Sequence, residues 1–169
     1  MTELRTVAAD DWRVMRDIRL DALREAPYAF ASTYDCEAAY PELTWQERAA
    51  AGNSILAYLP EYGPRPVGLV AAIELVPGEL ELVSMWVRSE ARGRQVGSAL
   101  VEAIMEYARG RQVPRVHLWV TESNQAARRL YERCGFTPTG ERQPLPSDPA
   151  LTELAMTRTV DLPATRPII

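Results

Sequence analysis

Residues 87–98 read VRSEARGRQVGS, set between the run ELELVSMWV (79–87) and the run SALVEAIMEYA (98–108). The first run alternates polar and apolar side chains, which predicts a strand; the second has apolar residues at helical spacing. A helix start leaves backbone N–H groups without intrahelical partners, and its dipole favours negative charge there. Gly93 and Gly97 let a ligand come close to the backbone, and Arg92 or Arg94 adds charge-assisted hydrogen bonds. The stretch therefore predicts an anion site at a strand-to-helix turn, with an arginine-rich surface turn as the plain alternative.

Outward from this turn, the pattern continues in both directions. LRTV (4–7) is β-like, and Asp10 or Asp11 caps a helix, DWRVMRDIRLDALREA, that Pro27 ends. APYAFASTYD (26–35) reads as a loop or short helix, and ELTWQERAAA (42–51) as a helix closed by Gly52 and Asn53. SILAYL (54–59), VGLVAAIEL (67–75) and ELELVSMWV are joined by turns carrying Gly63, Pro64, Pro66, Pro77 and Gly78, which predicts an antiparallel meander. A helix over 97–109 and a strand, RVHLWV (115–120), complete a β-α-β unit. NQAARRLYERC (124–134) is a second helix ended by Gly135, and FTPTGERQP and LTELAMTRTV read as strands around a loop, LPSDP. No repeat or low-complexity segment interrupts the order. One α+β domain over residues 1–162 is expected, with 163–169 as a loose tail.

The 169 residues suffice for one domain with a proper core. A formal net charge of -4 argues against a nucleic-acid binder, although Arg88, Arg92, Arg94, Arg109 and Arg111 leave room for a local basic pocket. MTELRTVAADD lacks the basic-then-apolar pattern of a secretory signal, and no apolar run approaches the roughly 18 residues of a membrane span. Cys36 and Cys134 lie far apart with no CxxC companion, so neither zinc nor a disulfide framework is expected, and no other metal site either. A cytoplasmic protein without membrane or nucleic-acid partners is the expectation, with a homodimer left open.

Which anion fits the turn depends on motif spacing. GxxxxGK[ST] is absent, and so is GxGxxG with its downstream acidic partner, which removes two nucleotide-binding readings. Arg92-Gly93-Arg94-Gln95-Val96-Gly97 instead resembles the Q/R-x-x-G-x-G/A motif of the GNAT N-acetyltransferase superfamily. Gln95 stands where that motif has its middle glycine. A negative φ at Gln95 makes the change cheap, whereas a positive φ strains the loop. SNQAARRLYERCGF (123–136) is similar to the second signature of the superfamily, N-x-x-A-x-x-L-Y-x-x-x-G-F, at Asn124, Ala127, Leu130, Tyr131, Gly135 and Phe136. Read without the family, the same stretch is an amphipathic helix with a glycine at its end.

The resemblance implies the GNAT acyltransferase fold, a mixed, mostly antiparallel sheet of about seven strands flanked by helices. It implies acetyl-CoA as co-substrate, with loop amides from Arg92 to Ser98 on the pyrophosphate. Met85-Trp86-Val87 would pair with pantetheine, Asn124 would order it, and Tyr131 would give a proton to the departing thiolate. The base is less determined. Glu81 is the first candidate and shares a face with Val83, Met85 and Val87 if alternation is strict, while Glu79 and the lone histidine, His117, are weaker ones. Each of these has a bland reading as a solvated or structural group. Trp119 stands where some protein N-terminal acetyltransferases carry a glutamate, which counts against that acceptor class. The acceptor amine, a small molecule or a protein lysine, would meet Tyr28, Phe30 and Tyr34, with Asp35, Glu37, Glu141 and Asp148 available to a cation. An acetyl-CoA sensor without turnover and a plain protein-interaction domain are the competing classes.

Overall fold

The computed structural model describes residues 1–164. Seven strands hydrogen-bond into one sheet in the order β1-β2-β3-β4-β5-β7-β6. They are β1 Glu3–Thr6, β2 Ser54–Tyr58, β3 Gly68–Val76, β4 Glu79–Val87, β5 Arg115–Thr121, β6 Thr137–Leu145 and β7 Asp148–Thr159. Every neighbouring pair is antiparallel except β4 and β5. A parallel pair needs a long crossover, and α4 (Val96–Gly110) supplies it. The other helices are α1 Trp12–Glu25, α2 Tyr34–Ala38, α3 Glu42–Ala50 and α5 Gln125–Arg133. The architecture is the expected α+β arrangement of a mixed sheet between helices.

Apolar side chains on the two sheet faces build two cores. On one face Leu80, Leu82, Val116 and Leu118 pack with Leu100 and Ile104 of α4. On the other, Leu56, Leu69 and Trp86 pack with Ile18 and Leu23 of α1 and Trp45 of α3. Burying each such side chain stabilises the fold by about 1.5–3 kcal/mol before entropy is counted.

β4 breaks the strict alternation expected of it. Leu69 of β3 pairs with Trp86 and Ala71 pairs with Val83, so two steps on β3 match three on β4. Ser84 absorbs the extra residue with a φ of 60°. A bulge of this kind reverses the parity of every side chain beyond it. Leu80 and Leu82 therefore face the same core as Met85 and Val87, while Trp86 joins the α1 side. Glu81 and Val83 do not share a face with Met85 and Val87, which corrects the sequence expectation.

Three local expectations also shift. Asp11 does not cap α1 with its side chain; its Oδ2 accepts the Ala8 N–H at 2.9 Å in the preceding turn. α2 takes up the end of the segment read as loop or short helix. LPSDP is not all loop, because Leu145 pairs with Asp148 and only Pro146 and Ser147 turn the hairpin. Pro and Asp favour turns, but here tertiary pairing extends the strands through them. Among the described residues no helix is long and apolar enough to cross a membrane. The expected tail begins without regular structure at Pro163 and Ala164, and its remainder lies outside the described residues.

Candidate active site

The turn quoted at the outset becomes a short helical turn at Ser89–Ala91 followed by α4. Among the described residues the backbone N–H groups of Gly93 to Ser98 make no backbone hydrogen bond, and Ala99 is the first to do so, to the Gln95 carbonyl at 3.0 Å. Six free amides converge where the helix dipole is positive, which suits a phosphate-bearing anion. Gln95 stands in the left-handed region at φ 63°, ψ 14° and has no capping hydrogen bond. Gln95 thus holds the left-handed conformation that a glycine would adopt at no steric cost. Gln95→Gly is expected to raise stability by about 1 kcal/mol, seen as a rise of ~2–4 °C in thermal melting. An unchanged or lower midpoint would show that the loop carries no such strain.

Gly97 serves a second purpose. A Cβ built there would lie 2.9 Å from Leu130 Cδ2, so this glycine lets α4 approach α5. A charged side chain at residue 97 would therefore disturb helix packing as well as any phosphate. Asn124 starts α5 by accepting the Ala127 N–H at 3.2 Å.

β4 and β5 pair only at Glu79 with Arg115, Leu80 with Val116 and Glu81 with His117. Beyond these three pairs the strands part, and among the described residues the β5-facing edge of β4 from Leu82 onward has no partner strand. A cleft of about 660 Å³ opens there. Met85, Trp86 and Val87 line it on one side and Asn124, Ala127 and Leu130 on the other. The loop contributes Arg92, Gly93 and Gln95, followed by Val96, Gly97 and Ser98 of α4. Arg94 and Tyr131, both expected here, do not line it. Arg94 is ion-paired with Glu61 and lies 5.8 Å from the Tyr62 ring centroid. Tyr131 is 5% exposed and belongs to the core against which Met85, Val87 and Ala127 pack. Burial pushes its phenol well above the ordinary tyrosine range, so it keeps its proton.

A second cavity, of about 630 Å³, lies toward α1 and α3. The strands contribute Glu81, Val83 and Ser84 of β4, Trp119 of β5 and Glu153 of β7, and the helices contribute Arg19 and Arg48. β4 thus borders both spaces, the second cavity up to Ser84 and the cleft from Met85, and Ala29 lines both. Burial raises the Glu81 carboxyl above the usual range; Glu153 and Glu79 add to the rise and His117 opposes it. Burial likewise raises Glu153, against a hydrogen bond from Gln143 Nε2 at 2.5 Å. His117 Nδ1 lies 3.9 Å from Glu81 Oε1, and its ring meets Trp119 edge-on at 5.5 Å.

Of the expected acceptor residues only Phe30 lines this cavity. Tyr28 lines the other cleft instead, and its carbonyl accepts the Thr121 hydroxyl at 2.6 Å. Tyr34 lines neither; Arg24 Nη2 donates to its hydroxyl at 2.8 Å. Asp35, Glu141 and Asp148 are exposed and outside both spaces. Glu37 is unavailable to a cation because it is 1% exposed and bonded to Arg19 and Arg48.

With this geometry in place, the sequence model described as the Acetyltransferase (GNAT) family matches residues 12–136. The chain belongs to that family. It is 43% identical over 58 residues to a mycothiol acetyltransferase of Beutenbergia cavernae, covering 34% of this chain and 20% of that protein. The chain thus spans about a fifth of the length of this relative. An acetyltransferase of the GNAT family from Streptococcus pneumoniae superposes with a TM-score of 0.76 at 18% identity, covering 95% of this chain and 100% of that one. A phosphinothricin acetyltransferase from Sinorhizobium meliloti, solved in complex with AcCoA, gives 0.74 at 18% identity, with 98% and 92% covered. These structures share the GNAT fold with this chain.

Four charged groups in this GNAT chain escaped the sequence reading, among them Arg19 and Arg48 on the helical wall of the second cavity. Arg133 lines the amide-rich cleft from the last turn of α5. Glu153, at 6% exposure, faces the second cavity from inside a strand. A carboxylate between apolar neighbours in LTELAM was the available signal.

Proposed function

We propose that this GNAT chain moves the acetyl group of acetyl-CoA to a primary amine by direct attack while both are bound. The observation that carries this reading is the pair of cavities along successive segments of β4, one rich in free amides and one carboxylate-lined, which both reach Ala29. The residues present suit acetyl-CoA: free amides from Gly93 to Ser98 with Arg92 and Arg133 would hold its pyrophosphate. The unpaired edge of β4 at Met85-Trp86-Val87 would hold pantetheine by backbone hydrogen bonds. When bound, acetyl-CoA supplies an activated acyl carbon on a thiol leaving group.

The chain's own groups manage the protons. Glu81, with Glu153 beside the same space, takes one from the incoming ammonium so that nitrogen can form the new bond to carbon. Tyr131, one layer behind the cleft wall, would give one to sulfur as the carbon–sulfur bond breaks, once that wall yields to the bound thioester, and the second proton of the nitrogen would restore the phenol. Residues 1–162 act as one domain in this reading, in the cytoplasm where acetyl-CoA is made available.

The test compares acetyl-CoA with S-acetylpantetheine, which lacks the pyrophosphate, in assays of thiol release with mixed primary amines. Several charge-assisted bonds are at stake, so the shorter thioester should show a KM at least about 100-fold higher. Equal KM values would remove the pyrophosphate from the amide loop. Saturable acetyl-CoA binding with no amine-dependent thiol release would mark a sensor. No acetyl-CoA binding at all would leave only an interaction domain.

A further inference from the structure

We infer that the acceptor is a small zwitterion, an amine that also carries a carboxylate, held between Arg19 and Arg48 on one wall of the second cavity and Glu81 and Glu153 on another. The inference rests on the transfer reading above and adds the class of acceptor.

The helical wall carries an unanswered charge. Arg19 of α1 donates from Nε and Nη2 to the two oxygens of Glu37 at 3.0 and 2.9 Å. Arg48 of α3 donates from Nη1 to the same carboxylate at 3.1 Å. Two guanidiniums share one carboxylate, which leaves a net single positive charge on this wall. Burial pushes Glu37 upward, but the two guanidiniums outweigh it and hold the carboxyl below its usual range, so it stays ionised. Arg19 Nη1 is shielded from solvent and has no hydrogen-bond partner. Such an orphan donor is costly and is normally satisfied. Among the described residues, Nε and Nη2 of Arg48 also make no hydrogen bond, and its side chain is 41% exposed.

Stacking fixes these cations without neutralising them. The Arg19 guanidinium lies 4.8 Å from the Phe30 ring centroid, and that of Arg48 lies 5.0 Å from Tyr40 and 5.2 Å from Trp45. A held guanidinium presents a planar fork that matches a carboxylate. One net positive charge also matches a carboxylate better than a doubly charged phosphate.

The opposite sign comes from the sheet. Glu81 and Glu153, on β4 and β7, are the carboxylates that line the cavity, and Leu69, Ile73 and Trp119 give an apolar surface beside them. A space of about 630 Å³ has room for a molecule of amino-acid size. A simple amine would answer the carboxylates and leave Arg19 and Arg48 unmatched, whereas an amino acid answers both walls.

The test measures thiol release at saturating acetyl-CoA with three sets of acceptors: free amino acids, their carboxamides and their decarboxylated amines. At least one amino acid should exceed both of its carboxylate-free partners in kcat/KM by about 10- to 100-fold, the worth of one charge-assisted hydrogen bond. In Arg48→Gln this preference should shrink to a few-fold while acetyl-CoA affinity holds. Turnover of the amides and amines as fast as of the amino acids overturns the inference and leaves acetyl transfer standing. A preference that survives intact in a folded Arg48→Gln also overturns it. Acetyl-CoA binding without turnover of any set overturns both this inference and the transfer reading.

Discussion

Tyr131→Phe is expected to lower the turnover number by about 10- to 1000-fold at saturating acetyl-CoA, part of the usual worth of general acid catalysis with water as a partial substitute. The ring stays, and with it the contact to Phe136 at 5.9 Å between centroids. The hydroxyl makes no hydrogen bond among the described residues, so its removal leaves no partner orphaned and stability should move by less than ~1 kcal/mol. Acetyl-CoA affinity should also hold, because Tyr131 lies behind the cleft wall and does not line it. Steady-state rates, a binding titration and a thermal melt measured together separate the outcomes. Full activity in the Phe variant would make Tyr131 a packing residue. A collapsed melt would do the same, and the kinetic loss would then say nothing about proton transfer.

Glu81→Gln should act in opposite directions on activity and stability. Activity should fall by about 100-fold in kcat/KM, near the low end for a general base, with Glu153 still in the cavity. The Glu81 carboxyl titrates above the ordinary glutamate range, with burial the main cause. In the parent, kcat/KM should therefore fall as pH drops through that raised value, and the rising limb should be missing in the variant. The stability sign follows from linkage. Between the unfolded and the raised folded pKa the native state holds more protons, so parent stability declines as pH rises through that window. Gln cannot ionise, so the variant should melt higher than the parent at neutral pH. Loss of activity together with loss of stability would instead identify Glu81 as a structural residue. An unchanged pH profile would move the base to Glu153.

Much of the fold was legible because its elements follow simple periods. The strand at 79–87, the helix after Gln95 and the helix after Asn124 lie where apolar spacing and start signals put them. The bulge was not legible, since no Gly or Pro marks Ser84 and its positive φ is set by pairing with β3. One trace was present: strict alternation would have put Ser84 on the buried face with Leu80 and Leu82. Most of the lining of the amide-rich cleft was legible because it comes from short contiguous stretches within 85–87, 92–98 and 124–130, although Arg94 and Tyr131 stand outside it. Of the second cavity's charged residues only Glu81 was legible, since Arg19, Arg48 and Glu153 come from three other elements far apart in sequence. Tyr28 and Tyr34 looked like pocket walls by residue type, and only tertiary packing assigns them elsewhere.

The extra residue at Ser84 lets a single strand border two separate spaces, with its side chains turned over between them. Glu81, Leu82, Val83 and Ser84 line one cavity, and Met85, Trp86 and Val87 line the other. Change in the first segment leaves the backbone of the second in place. Substitutions on one side of Ser84 can therefore reshape one space while the backbone edge that borders the other keeps its course.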